Sequence, residues 1–460
     1  MKKLTKGKMW CFAIGQFGWS LLSALITNWL VYYYQPDEAT QAAGQTLFIP
    51  QGRVIFGIAT IIGAIAAVGR IFDAVTDPLI ANLSDRSTNP KGRRIPFMQK
   101  IAVPFAVITV LVFWTPVNGI SNVNSVWLLV TLLLFYLFMT TYCTPYNALI
   151  SELGTTQDTR ISISTYISVT FLLGSAIGYA APYIWGPLTP LLGRVGAIRA
   201  TFAILAAIGL VALLVPTFTI REKDYIDAKP SNDNAFSSLA KTFKNKDFRV
   251  FVGSDVLYFV ALTIFQTGLP FFITTLMDLP ETMTTILYIA MTLLSFACYP
   301  LVNMLAHRLN KKKLVLIGFV GLSCAYIVTA VSGSAGVPSM VWGVLVVLVA
   351  AFPMAILGIL PQAIVADIAQ ADAMVTGEKR EGMFFAARTF AFKMGQSLSM
   401  LLFTAFASIS PETGLGYRIA AVSACAICLA GALILSRYNE KKILGIIVPA
   451  ENQSGKKAEN

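Results

Sequence analysis

Arg70, Asp73 and Asp77 sit inside an apolar run long enough to span a bilayer. An aspartate at the middle of a spanning helix costs roughly 2.5 to 3.5 kcal/mol, so two in one helix persist only where they face other protein, water or a cation. Their i, i+3 and i+7 spacing puts them on one helical face about two turns long. Pro78 has no N–H, so the carbonyl of Ala74 loses its helical donor and a free carbonyl oxygen lies beside two carboxylates. These are hard oxygen ligands of the kind a small cation or hydronium takes. The alternative is an internally neutralised Arg–Asp cluster that only orients helices. Lys393, about three turns into the eleventh apolar run, needs a carboxylate partner, and Asp73 and Asp77 are the candidates. Arg388, five residues earlier, reads as an interface anchor. Asp255, about two turns into the seventh run, is a weaker extra candidate or a capping residue near the interface.

The elements that must position these groups are membrane spans. The chain has 460 residues, 56% apolar and 13% charged, with a mean hydropathy of +0.69, too apolar and too charge-poor for a soluble protein. Twelve apolar runs are read, among them the second near 55–81, the fifth near 163–187, the sixth near 196–219 and the tenth near 339–366. The basic start MKKLTKGK leads into a full-length span without a convincing cleavage site, so the first helix is expected to anchor itself. The net charge of +12 is topology and not a nucleic-acid footprint. With both termini inside, 28 of 35 Lys and Arg fall in inner segments and only Arg53, Arg194, Arg199 and Arg418 in outer ones. Cys11, Cys143, Cys298, Cys324, Cys425 and Cys428 all lie in apolar runs and form no disulfide framework.

PLIANLSDR (Pro78 to Arg86) recurs 222 residues later as PLVNMLAHR (Pro300 to Arg308), the mark of a parallel repeat between two six-helix bundles. The expected division is 1–219, a first bundle with the charged site; 220–247, a polar and basic inner linker; 248–437, a second bundle; and 438–460, a cytoplasmic tail. The fold class is an all-α integral membrane protein. Residues 35–54 form a polar segment readable as an outer lid or a tolerated insertion. The solitary histidine, His307, reads as a solvated loop residue.

The pattern R-x-x-D-A-x-x-D-P followed by the basic loop LSDRSTNPKGRR (Leu83 to Arg94) resembles the glycoside–pentoside–hexuronide cation symporters, the melibiose permease-like family of the major facilitator superfamily. The resemblance implies the major facilitator fold and alternating access. It implies that Asp73 and Asp77 coordinate the coupling ion, Na⁺ or H⁺, with Thr140 of TTYCTPYNALISEL in the same site, and that Lys393 links cation and substrate. Ser20, within GQFGWS, falls where a sugar-contacting aspartate stands in the melibiose permease, and Cys143 replaces another. Asn147 replaces an aromatic residue and leaves an amide in the cavity. Arg70 belongs to the same substrate and coupling group. Asp85, Arg86, Arg93 and Arg94 match the wider superfamily's loop motif, which latches the inward gate through an Asp–Arg contact.

An enzyme lacks its parts here: no His-rich metal set, no nucleophile triad, no phosphate-binding loop. The expected function is cation-coupled symport of a sugar or glycoside, an anionic one such as a hexuronide included, with lipid or lysolipid transport on the same fold as the alternative. The expected partners are a small-molecule substrate and membrane lipid, with no nucleic acid, no cofactor beyond the coupling ion, and a monomer in the inner membrane.

Overall fold

The computed structural model of the chain describes residues 4–54, 59–154, 157–225, 240–334, 336–377, 381–410 and 413–447. It is built of long helices: α1 (Lys6–Tyr34), α2 (Ile61–Asp85), α3 (Ile95–Val112), α4 (Asn122–Leu153), α5 (Gln157–Tyr179), α6 (Pro182–Thr219), α7 (Lys246–Phe271), α8 (Thr282–Ala297), α9 (Lys311–Val331), α10 (Ser339–Thr376), α11 (Glu381–Ala407) and α12 (Leu415–Ser436). Among the described residues, ten stretches are apolar and long enough to cross a membrane. The count becomes twelve for two physical reasons. α2 escapes a hydropathy criterion because of its charges, and Ser162–Thr219, 58 residues, would be about 87 Å long as one helix against a hydrocarbon core of about 30 Å. It breaks between Tyr179 and Pro182, and again at Gly193, whose φ of 68° and ψ of 164° leave the helical region.

The packing is duplicated. α1 packs on α5 and α6, α2 on α4, and α3 on α4 and α6; six helices later α7 packs on α11 and α12, α8 on α10, and α9 on α10 and α12. The two sets meet through α2 against α11, α5 against α8 and α1 against α7, the first two being each other's image under the same repeat. Below, the face bearing the first and last described residues, Leu4 and Ile447, is called terminal and the face bearing residues 35–54 distal.

Several boundaries differ from the sequence expectation. The second span does not begin at 55: Arg53–Val54 and Ala59–Thr60 pair as a two-residue antiparallel ribbon, and Thr60 caps α2 by accepting from Gly63 N at 3.2 Å. α5 stops at Tyr179, short of 187. The tenth run, read as ending near 366, continues as helix as far as Thr376, where Gly377 at φ 75° ends it, because a helix leaving the bilayer keeps its backbone bonds in water. Residues 35–54 are strapped down rather than loose. Gln45 donates to Tyr33 O at 3.0 Å, Gln51 to Tyr34 O at 2.9 Å and Asn124 to Phe48 O at 2.9 Å, and Gln45 is buried.

α2 and α11 approach closely at Gly63, where an added Cβ would stand 2.0 Å from Thr404 Oγ1. Gly63→Ala is therefore expected to destabilise the folded protein by about 1 to 3 kcal/mol through overpacking, read as a lower thermal unfolding midpoint, and Thr404→Ala in the same chain is expected to restore part of the loss.

Candidate functional site

The charged face of α2 points at α4 and α11. Lys393 Nζ lies 3.0 Å from Asp73 Oδ1 and 2.6 Å from Asp77 Oδ2, so one ammonium bridges two carboxylates, the nearer of them in sequence 316 residues away. Thr140 Oγ1 is 2.7 Å from Asp73 Oδ1 and 3.2 Å from Asp77 Oδ1. A hydroxyl has one proton to give, and the shorter contact assigns it to Asp73. Thr144, one turn on, reaches Asp77 Oδ1 at 3.4 Å. Arg70 stands 3.9 Å from Asp73 Oδ2, donates to Thr27 Oγ1 at 3.3 Å and lies over the Tyr136 ring at 5.1 Å. Asp73 is fully buried and its Oδ2 accepts no hydrogen bond from a described residue, whereas the Asp77 side chain is 26% exposed.

These groups open onto a cavity of about 400 Å³ between the two sets of helices, and Arg70, Asp73, Asp77 and Lys393 line it together with Ser20, Cys143 and Asn147. Thr140 stands behind the carboxylates and does not line it. Ser20 is nearly closed off, its hydroxyl turned to Phe17 O at 3.1 Å. Thr144, Thr27 and Tyr136 were missed from sequence. Thr144 was legible as the next position on the Thr140 face, and Tyr136 as the one before it. Arg388 is not an interface anchor. It forms a bidentate pair with Asp255, at 2.7 Å through Nε and 3.1 Å through Nη2, and neither residue lines the cavity.

The residues expected to gate divide. Arg93 and Arg94 both pair with Glu152, at 2.8 and 2.9 Å, and Glu222 accepts from the backbone N of Arg93, Arg94 and Ile95 at 2.8 to 3.0 Å, a carboxylate at the N-terminus of α3. Gly92, at φ 128°, allows this approach, since a Cβ there would lie 2.3 Å from Glu222 Oε2. Arg86 is exposed. The Asp85 side chain lies outside the described residues. Glu152 and Glu222, both missed from sequence, are thus the partners that the two arginines and their turn find among the described residues.

Among the described residues, hydrogen bonds joining α1–α6 to α7–α12 occur at the level of Lys393 or distal to it. Ser397 donates to Ala67 O at 3.0 Å, Gln35 to Thr404 O at 3.2 Å and Thr285 to Tyr179 O at 2.7 Å. Tyr179 stacks on Tyr288 with centroids 3.8 Å apart. Glu281 accepts from Tyr32 OH at 2.6 Å, from Trp185 Nε1 at 3.0 Å and from Arg194. Asp37, buried, accepts from Thr275 Oγ1 at 2.6 Å and Thr40 N at 2.7 Å. The distal side is closed by a layer that crosses from one half to the other.

Removing the bridging ammonium leaves two facing carboxylates without their shared partner. Lys393→Met is expected to destabilise the protein by about 3 to 5 kcal/mol, the usual result of stripping one member from a buried ion pair, and Asp77→Asn in the same chain is expected to recover much of that in thermal unfolding of the purified protein.

Residues 11–442 match the protein family described as MFS/sugar transport protein. The putative glycoside/cation symporter YagG of Escherichia coli K12 is 25% identical over 355 residues, 75% of this chain and 74% of YagG. The sodium-dependent lysophosphatidylcholine symporter 1 of Xenopus tropicalis is 36% identical over 114 residues, 24% of this chain and 21% of that protein. The crystal structure of a D-xylose–proton symporter superposes with a TM-score of 0.65 at 14% identity, covering 94% of this chain and 97% of the other, a likeness of fold.

Proposed function

We propose, from the premise that the chain belongs to the family of MFS/sugar transport proteins, and with it to the glycoside–pentoside–hexuronide cation symporters of the major facilitator superfamily, that Na⁺ or H⁺ bound at Asp73, Asp77 and Thr140 drives uptake of a sugar or glycoside. The protein is an integral membrane secondary transporter of the sugar type, and transport of this kind is no enzymatic conversion. The observation that carries the coupling assignment is the position of Lys393 Nζ, within 3.0 Å of both carboxylates. A resident ammonium occupies the place a coupling ion would take, so ion binding displaces it and frees a positive charge at the cavity wall. One charge moving down 100 mV supplies roughly 2.3 kcal/mol, enough for about fifty-fold accumulation.

The cavity charges balance before the ion arrives: Arg70 and Lys393 against Asp73 and Asp77, with Asp255 consumed by Arg388. A bound cation leaves a surplus positive charge, which a substrate carboxylate would neutralise with about 4 kcal/mol at 4 Å and an effective dielectric of 20, before desolvation. This supports an anionic glycoside such as a hexuronide. Lysolipid transport is the second reading, favoured by the 114-residue stretch shared with the lysophosphatidylcholine symporter. The terminal face is cytoplasmic in this proposal, on the distribution of basic residues, so the closed distal layer corresponds to an inward-facing state. The protein acts as a monomer in the inner membrane, without a cofactor.

Proteoliposomes test the coupling. Asp73→Asn and Asp77→Asn are each expected to abolish accumulation of methyl glucuronide or methyl glucoside driven by a Na⁺ or proton gradient, the glucuronide being preferred in the parent protein. Accumulation by both variants at the parent level overturns the assignment, and uptake of lysophosphatidylcholine in place of either sugar favours the second reading.

Orientation is checked by cysteines at Ala43 and Thr88, both exposed, Gln45 being too buried to serve. An impermeant thiol reagent is expected to label Ala43→Cys and not Thr88→Cys in intact cells; the reverse pattern inverts the topology.

A further inference from the structure

The charged groups of the cavity are spent on one another, yet four carboxamides line the same space: Asn28 on α1, Asn147 on α4, Gln266 on α7 and Gln396 on α11. They come two from each half. No side chain among them hydrogen-bonds to a described residue, and the Asn28 amide nitrogen is buried without a partner although only 3% of the residue is exposed. Inside a membrane span an amide left without a partner is costly. Glutamine and asparagine as packing residues would have turned to a backbone carbonyl or to a neighbouring hydroxyl, as Ser397 and Ser399 turn to carbonyls.

We propose that Asn28, Gln266 and Gln396, with Asn147, form the hydroxyl-reading part of the substrate site and select a polyhydroxylated ring. A carboxamide carries an acceptor oxygen and a donor nitrogen side by side, which matches a hydroxyl's own ability to give and accept, and a pair of neighbouring hydroxyls can engage one amide twice. A phosphocholine headgroup offers acceptors but no donor and an acyl chain offers neither, so such groups would engage the amide nitrogens alone and leave the four amide oxygens unpaired. The division between halves has a second effect: a ring held by Asn28 and Asn147 on one side and Gln266 and Gln396 on the other is bound only when both halves face it, and binding therefore reports on their relative position. The proposal rests on the sugar-transport reading and names the groups that carry its specificity.

The test uses the purified full chain in saturating Na⁺ and titrates methyl glycosides of glucose, galactose, xylose and glucuronic acid, then the monodeoxy counterparts of the best binder. Gln266→Leu and Gln396→Leu, with Gln266→Met and Gln396→Met as second replacements should leucine lower the yield, are each expected to weaken that binder about ten-fold or more, the cost of leaving a hydroxyl unpaired. The parent should lose about as much against one monodeoxy sugar, and the variant should hardly distinguish the two. The Na⁺-induced thermal shift should be unchanged in the variants, because none of the amides hydrogen-bonds to Asp73, Asp77 or Lys393. Discrimination against every deoxy sugar that survives in all variants overturns the assignment while leaving the sugar reading intact. Failure of every glycoside to bind overturns both, and sugar binding without any Na⁺ shift leaves the amide assignment standing with H⁺ as the coupling ion.

Discussion

One ammonium held by two carboxylates organises the molecule. Lys393 comes from α11 and Asp73 and Asp77 from α2, so the contact that, with Arg70, balances the buried carboxylates is also the contact that joins the two halves. Neither side is stable alone: the aspartates repel each other without the lysine, and the lysine is stranded without them. The small residue at 63 lets the same two helices close against each other about three turns away. Charge balance and helix packing thus fall on one seam, and any ion that alters the first acts on the second.

The halves are linked unevenly around that seam. Distal to it, Glu281 gathers three donors from the opposite half and Asp37 reaches across to Thr275. The second of these comes from the segment after α1, whose own amides are tied to the end of that helix. Thr274 and Thr275 lie in a π-helical turn, Phe272–Leu276, that ends the seventh span; such turns place side chains off the regular helical face. A layer made of polar contacts between parts that must separate is easier to open than an apolar seal of the same extent, since water replaces each bond as it breaks.

Much of this was legible from residue types. Two aspartates at a four-residue spacing in an apolar run demand a partner, and Lys393 was the residue that could answer them. The proline-bearing repeat announced two similar halves. What was not legible depends on choices made across the chain. Arg388 has the composition of an interface anchor until Asp255, 133 residues earlier, is placed beside it. Glu222 follows a span in a polar stretch and carries no local sign that three amides near residue 94 will converge on it. The extension of α10 beyond the bilayer was hidden because hydropathy marks where lipid ends, and a helix need not end there. Gln45 looked like a loop residue because its burial is made by Tyr33, which precedes it by twelve positions.

The terminal-face contacts hold a record of another kind. Arg93 and Arg94, Glu152 and Glu222 make a triangle in the first half. Lys311, Asp367 and Glu440 repeat it in the second: Lys311 pairs with Asp367 at 2.6 Å, and Glu440 accepts from Lys311 N and Lys312 N at 2.9 and 3.0 Å. Glu222 and Glu440 stand 218 residues apart, as do Arg93 and Lys311. The positions that correspond to Arg70, Asp73 and Asp77 under the Pro78-to-Pro300 match are Thr292, Ser295 and Tyr299, all uncharged. The two halves are therefore twins in scaffold and strangers in chemistry: what the doubling retained is the brace at the base of each bundle, and what it let drift apart is the working surface between them.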